Sequence, residues 1–160
     1  MLAAGRSKTR ALNYITLITA GTIQVACNNS PLSVIVSGDA SAIDQLDSIL
    51  KAEGVFSRKL KVENVYHSHH MSNIAESYLE SIADCRDREE EPTIKMVSSV
   101  TCKSVEQKDL SPSYWVQNQT STVEFSDALT RLLNGDRSRR RRAGESIVDF
   151  LLEIGPHSAP

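Results

Sequence analysis

The chain has 160 residues, 40% of them hydrophobic, enough for one ordinary folded core. Eighteen Lys+Arg stand against 20 Asp+Glu, so the molecule as a whole is no electrostatic trap for nucleic acid or for a membrane surface. Cys27, Cys85 and Cys102 lie far apart and form no C-x-x-C pair, which argues against a secreted disulfide framework and for a reducing, cytoplasmic setting.

The opening stretch, with Arg6, Lys8 and Arg10 ahead of ALNYITLITAG, resembles a signal peptide only superficially, because Asn13, Tyr14, Thr16 and Thr19 interrupt the apolar run. Residues 7–19 read as a helix with Ala11, Leu12, Ile15, Leu17 and Ile18 on a broad apolar face. TIQVAC and SVIVSGD are β-branched stretches, and NNSPL between them carries turn formers. Ser41, followed by Asp44 in a capping-box pattern, predicts a helix carrying Ile43, Leu46, Ile49 and Leu50 and ending at Gly54. Residues 55–62 alternate as a half-exposed strand. Helix, two strands, helix and strand make part of a split βαβ arrangement, for which only the stub MLAAG is left as a first strand.

Beyond YHSHHM, Met71, Ile74, Tyr78 and Ile82 fall on one helical face, followed by the charged loop CRDREEEP. IKMVSSVT reads as a strand, SPSYWVQNQ as a short helix, FSDALTRLLNG as a longer one, and SIVDFLLEIG as a last strand. RSRRRRAG is a low-complexity piece, a solvated loop or a contact for an acidic partner. No segment reaches the ~20 apolar residues that span a bilayer.

The histidines of YHSHHM are the first candidates for chemistry, since imidazole exchanges protons near neutrality. A metal site could draw on His67, His69 and His70, but in an extended segment His67 and His69 share a face while His70 points away, and no paired cysteines or carboxylates stand nearby in sequence. On composition alone, a polar loop or helix start with incidental histidines is the favoured reading. A Ser–His pair is the sharper reading, yet no serine sits in a G-x-S-x-G elbow. Cys27, at the end of an apolar strand, reads as a small core residue. Taken alone, the residues offer a base without a nucleophile.

ACNNSPLSVIVSGDASAIDQL, EGVFSRKLKVENVYHSHHM, MVSSVT, YWVQNQTSTVEFSDAL and LLEIGPHSAP, in this order, resemble the acyltransferase domain of fungal iterative type I polyketide synthases over nearly the whole chain. The resemblance implies an α/β (α+β) fold: a ferredoxin-like small subdomain over residues 1–66, its first strand truncated, and the C-terminal part of an α/β-hydrolase-like large subdomain over 67–160. It implies malonyl transfer from coenzyme A, through a serine ester, to the phosphopantetheine thiol of an acyl carrier protein. No bound cofactor or metal is expected, and the partners are the carrier protein and the other synthase domains, with no nucleic acid and no membrane.

By the same resemblance His67 is the catalytic base, Asn29 lines the cleft, Asn118 helps orient the histidine and Tyr66 bears on extender-unit choice, where its bulk would crowd an α-methyl branch. Read without the family, Asn29 is a turn residue and Asn118 a helix-surface amide. His69 and His70 are expected to pack or hydrogen-bond, and His157 to be structural. The chain departs from the family at Cys102, where glycine is usual, at Asn64-Val65, and in the arginine-rich insertion. The G-H-S-x-G elbow, its oxyanion-hole partner and the carboxylate-binding arginine are missing, so the isolated chain is expected to show no malonyl transfer. A non-catalytic remnant or carrier-protein-binding module is the alternative.

Overall fold

The computed structural model describes residues 1–85, 94–134, 150–152 and 154. A four-stranded antiparallel sheet is built from β1 (Leu2–Ala4), β2 (Ile23–Ser30), β3 (Ser33–Gly38) and β4 (Ser57–Lys59), in the order β2-β3-β1-β4. Helices α1 (Lys8–Ile15) and α2 (Ala40–Ala52) follow β1 and β3, giving the βαββαβ order of a ferredoxin-like unit. MLAAG supplies the first strand expected of it. Its three-residue strand is central, with Leu2 opposite both Val36 and Lys59, and Leu2 is fully buried.

The core follows from strand alternation and helix periodicity. Ile23, Val25, Val34 and Val36 from the sheet meet Ala42, Ile43, Leu46 and Leu50 from α2 and Ala11 from α1, with Tyr14, Ile15 and Ile18 packed at its margin. α1 is shorter than its apolar run predicts. Ser7 caps its start, accepting from the Arg10 N–H, and the helix ends at Ile15, leaving Leu12 and Leu17 about half exposed. α2 begins at Ala40, one residue before the Ser41 cap expected from the sequence; Ser41 instead donates its hydroxyl to the Ala20 carbonyl at 2.6 Å. Gly54 ends the helix region with a left-handed φ of +67°, which glycine adopts without steric cost.

The predicted turn at NNSPL is displaced. Asn28, Asn29 and Ser30 continue β2, and the chain reverses at Pro31-Leu32; register shifts at Val25/Cys27 and Asn28/Ser30 bulge the strand. Of the expected strand over residues 55–62, Ser57–Lys59 forms β4, and main-chain bonds from Gly5 to Phe56 and from Leu60 to Met1 extend its contact with β1.

After residue 60 the chain is less regular. A 3₁₀ turn, His69–Ile74, leads into α3 (Ala75–Ser81), and of the predicted apolar face only Met71 is buried. The strand expected at IKMVSSVT shrinks to β5 (Met96–Val97), paired with β6 (Ser104–Val105). Between them Ser98 is fully buried, its hydroxyl accepting from the N–H groups of Val100 and Thr101 and from the Tyr114 hydroxyl at 2.9 Å. Cys102 takes the position expected to strain a non-glycine residue, with φ +54°. A short 3₁₀ turn at Gln107–Asp109 precedes α4 (Pro112–Thr120), which starts on a Ser111 cap with Pro112 in its first turn, and α5 (Phe125–Asn134) follows. Phe150, Leu151, Leu152 and Ile154, assigned to a last strand, are unpaired and exposed. Most of the CRDREEEP loop, the arginine-rich run, the rest of that strand and His157 lie outside the described residues. No helix among the described residues is long and apolar enough to cross a membrane.

Candidate active site around His67

His67 stands where three segments meet: the loop after β4, the outer edge of β2 and the C-terminal end of α4. Its backbone is left-handed, φ +54°, an uncommon state for a residue with a Cβ. Both main-chain polar groups are engaged. The amide donates to the Gln119 carbonyl at 3.3 Å, and the carbonyl accepts from Gln24 Nε2 at 2.9 Å. The last carbonyls of a helix have no partner within it, so the end of α4 is a ready acceptor surface.

The imidazole is half-buried, and its Nδ1 lies 3.0 Å from the Ser121 carbonyl. A carbonyl can only accept, so Nδ1 carries the hydrogen, and in the neutral ring the lone pair is on Nε2. Among the described residues no hydrogen bond engages Nε2. Chemically this is a fixed imidazole with one free basic nitrogen, the arrangement of a general base.

A second layer holds that carbonyl in place. Thr122 Oγ1 donates to the Val25 carbonyl at 2.7 Å, the Val123 amide donates to the Ala26 carbonyl, and the Asn28 amide donates to the Val123 carbonyl, both at 2.8 Å. Residues 122–124 thus occupy the open edge of β2, with a parallel bridge between Cys27 and Val123. Asn28 is buried and its Nδ2 reaches Glu124 Oε2 at 3.2 Å; Glu124 in turn pairs with Lys8 from α1.

The other expected site residues are distributed as follows. Tyr66 directly precedes His67 and is 44% exposed, its hydroxyl accepting from Asn64 Nδ2. Asn118 lies half-buried on α4, one residue before the carbonyl that binds the His67 amide. Asn29 is exposed at the β2 bulge, and its neighbour Asn28 is the asparagine turned inward. Among the described residues no hydrogen bond joins His67 to the side chain of Asn29 or Asn118. Gln24, Ser121 and Asn28 were not singled out by sequence reasoning. Ser121 acts through its main-chain carbonyl, which leaves no residue-type signature, and Gln24 through a side-chain amide that no motif marks. The third, Asn28, could have been found from its being adjacent to the quoted Asn29.

The thiols nearest this region are not activated. Burial pushes the Cys27 thiol up, and burial followed by the charges of Asp127 and Glu124 does the same for Cys102.

His69 and His70 do not follow the extended geometry read from the sequence. Ser68, 1% exposed, caps the 3₁₀ turn by accepting from the His70 amide and donating to the Val65 carbonyl. The turn brings the two rings to 4.1 Å between centroids, and both Nε2 atoms converge on Asp39 Oδ1, at 3.2 Å and 2.8 Å.

The sequence and the fold have counterparts among known proteins. The family described as acyl transferase domain matches residues 3–159. The chain is 46% identical to highly reducing polyketide synthase Preu1 of Preussia isomera and 42% identical to reducing polyketide synthase FUB1 of Gibberella moniliformis, in each case over 99% of this chain and 7% of the relative. The acyltransferase domain from module 8 of the salinomycin polyketide synthase superposes on 83% of the chain with TM-score 0.76 and 26% identity, covering 31% of that structure. A loading acyltransferase from the avermectin modular polyketide synthase superposes on 83% with TM-score 0.75 and 29% identity, covering 42% of its chain. The chain belongs to the acyltransferase family. Within it, the chain is an acyltransferase domain of the fungal polyketide synthase kind, and it spans about 7% of the length of the two reducing synthases it matches.

Proposed function

We propose that this chain supplies the proton-transferring half of a malonyl transferase site, with His67 as general base and the nucleophilic serine contributed from outside these 160 residues. The observation that carries the reading is the Nδ1–Ser121 hydrogen bond, which leaves Nε2 free to act. In the first half-reaction the serine oxygen attacks the malonyl thioester carbonyl and its proton passes to Nε2; coenzyme A departs as the thiol, taking that proton back. In the second, Nε2 takes the proton of the phosphopantetheine thiol as its sulfur attacks the serine ester, then returns it to the serine. Tyr66, beside the base, narrows the space for an α-branch and favours malonyl over methylmalonyl. Asn29 and Asn118 are assigned to the cleft that receives the substrate, and the acyl carrier protein and neighbouring synthase domains are the partners. Support for the serine lying elsewhere comes from the sequence itself, which contains no G-x-S-x-G elbow.

The purified chain incubated with radiolabelled malonyl-coenzyme A should retain no label, and a stoichiometric serine ester would overturn the division of the dyad. Residues 1–160 substituted for the matching segment of a reducing synthase acyltransferase should support malonyl transfer to carrier protein. His67→Gln in that hybrid should then lower kcat by about 10²–10⁴.

A further inference from the structure

Asp39 is an aspartate at the N-cap of α2 that does not cap it. Aspartate in that position ordinarily accepts from the first-turn N–H groups. Here the carboxylate turns away: Oδ2 accepts from the Thr22 amide at 2.7 Å, and Oδ1 faces His69 and His70. The backbone is shaped around this orientation. A Cβ at Gly21, φ +148°, would lie 2.6 Å from Asp39 Oδ2, and one at Gly38, φ +147°, would lie 2.2 Å from the Thr22 carbonyl that accepts the Asp39 amide. Two glycines therefore permit the close approach that holds the carboxylate in place.

We infer that Asp39, His69 and His70 form a binding site for a divalent transition-metal ion of the Zn²⁺ class. One ligand atom from each lies within 4.8 Å of the others. Metal–ligand bonds of about 2.0–2.1 Å in tetrahedral geometry separate neighbouring ligand atoms by about 3.4 Å. The His69–Asp39 separation of 3.2 Å already fits, and the His70–Asp39 separation of 2.8 Å needs to open by only about half an ångström. His69 Nδ1 is buried without a partner, so Nε2 is the nitrogen that ring offers outward.

The Thr22 N–H on Oδ2 is the kind of outer contact that fixes a ligating carboxylate. It also comes first among the causes that hold Asp39 below the usual carboxylate range, ahead of the His70 hydrogen bond. All three side chains are between 33% and 40% exposed, which gives the ion a route in and leaves the fourth position to water. Two imidazoles and one carboxylate select zinc, nickel or copper over magnesium and calcium, which take oxygen ligands. The ion would join the start of α2 to the turn two residues beyond His67, a place distinct from the basic nitrogen of the proposed site.

The test is titration of the full chain with Zn²⁺ by calorimetry and with Co²⁺ by visible absorption. One saturable site is expected, weakened at least about tenfold by Asp39→Asn, His69→Gln or His70→Gln and unchanged by His67→Gln or Cys85→Ser. Should a variant fail to fold, the unsubstituted chain still decides the matter, since Zn²⁺ should shift the ring ¹⁵N resonances of His69 and His70. Failure to saturate, equal binding of Mg²⁺, loss of binding in His67→Gln or Cys85→Ser, or ¹⁵N shifts confined to His67 would each overturn the inference.

Discussion

Residues 1–60 and residues 61–134 are built on different principles. The first region has a closed core in which Leu2, Val34 and Val36 are fully buried and Leu46 and Leu50 nearly so. The second buries only Met71, Tyr114 and Ala128 among its described apolar side chains, while Ile74, Leu79, Ile94, Met96, Trp115 and Phe125 stay exposed. It is held instead by caps, by buried hydroxyls and by main-chain bonds to the edge of β2. The difference teaches that His67 is positioned by hydrogen bonds: one comes from Gln24 in the packed unit, and two go to the carbonyls of Gln119 and Ser121 in its own region. The following residues 122 and 123 bond in turn to the edge of β2.

The comparison is broken most strongly in the core. Leu50→Ala should cost about 2–5 kcal/mol in urea denaturation, whereas Leu79→Ala on α3 should stay within about 0.5 kcal/mol. In the second region the sensitive positions should be polar. Ser98→Ala leaves two N–H groups and the Tyr114 hydroxyl without their acceptor and should cost about 1–3 kcal/mol, more than truncating any exposed apolar residue there.

Asp47 gives a pH-dependent version of the contrast, because it is a buried carboxylate in the packed unit. Hydrogen bonds from Lys51 and Ser57 hold it below the usual carboxylate range, so the stability it adds is complete above that range and is lost as pH falls through its folded value. Asp47→Asn should therefore lower stability by about 1–2 kcal/mol near neutral pH and flatten the acid limb of the stability profile. The smallest effect sharpens the link between regions: Gln24→Met should cost about 1 kcal/mol or less, with faster hydrogen exchange at the His67 amide and unchanged exchange in the interior of α2.

Much of the packed unit was legible because its signals are local. Alternation in SVIVSG and the spacing of Ile43, Leu46 and Leu50 specify which faces are apolar, and those faces find each other in the core. Legibility ended where tertiary contacts replaced periodicity. NNS reads as a turn by propensity but continues β2, since Asn28 gains the Val123 carbonyl and Glu124 as partners. The apolar face predicted beyond YHSHHM is only partly covered: α4 packs against α3 and the 3₁₀ turn, yet Met71 alone is buried, Tyr78 and Ile82 are half-buried and Ile74 is exposed. At the site, the sequence points to His67 through its motif and says nothing of Ser121 or Gln119, which act through carbonyls that every residue possesses.

By itself the sequence determined the family, the order of elements in the βαββαβ unit and the presence of a histidine suited to proton transfer. Only the tertiary structure decided which ring nitrogen is free, which of two adjacent asparagines turns inward, and that His69 and His70 converge on Asp39. The physical reason is range. Propensity and hydrophobic period act over a few residues, whereas these outcomes rest on bonds between residues 31 to 96 positions apart in the chain.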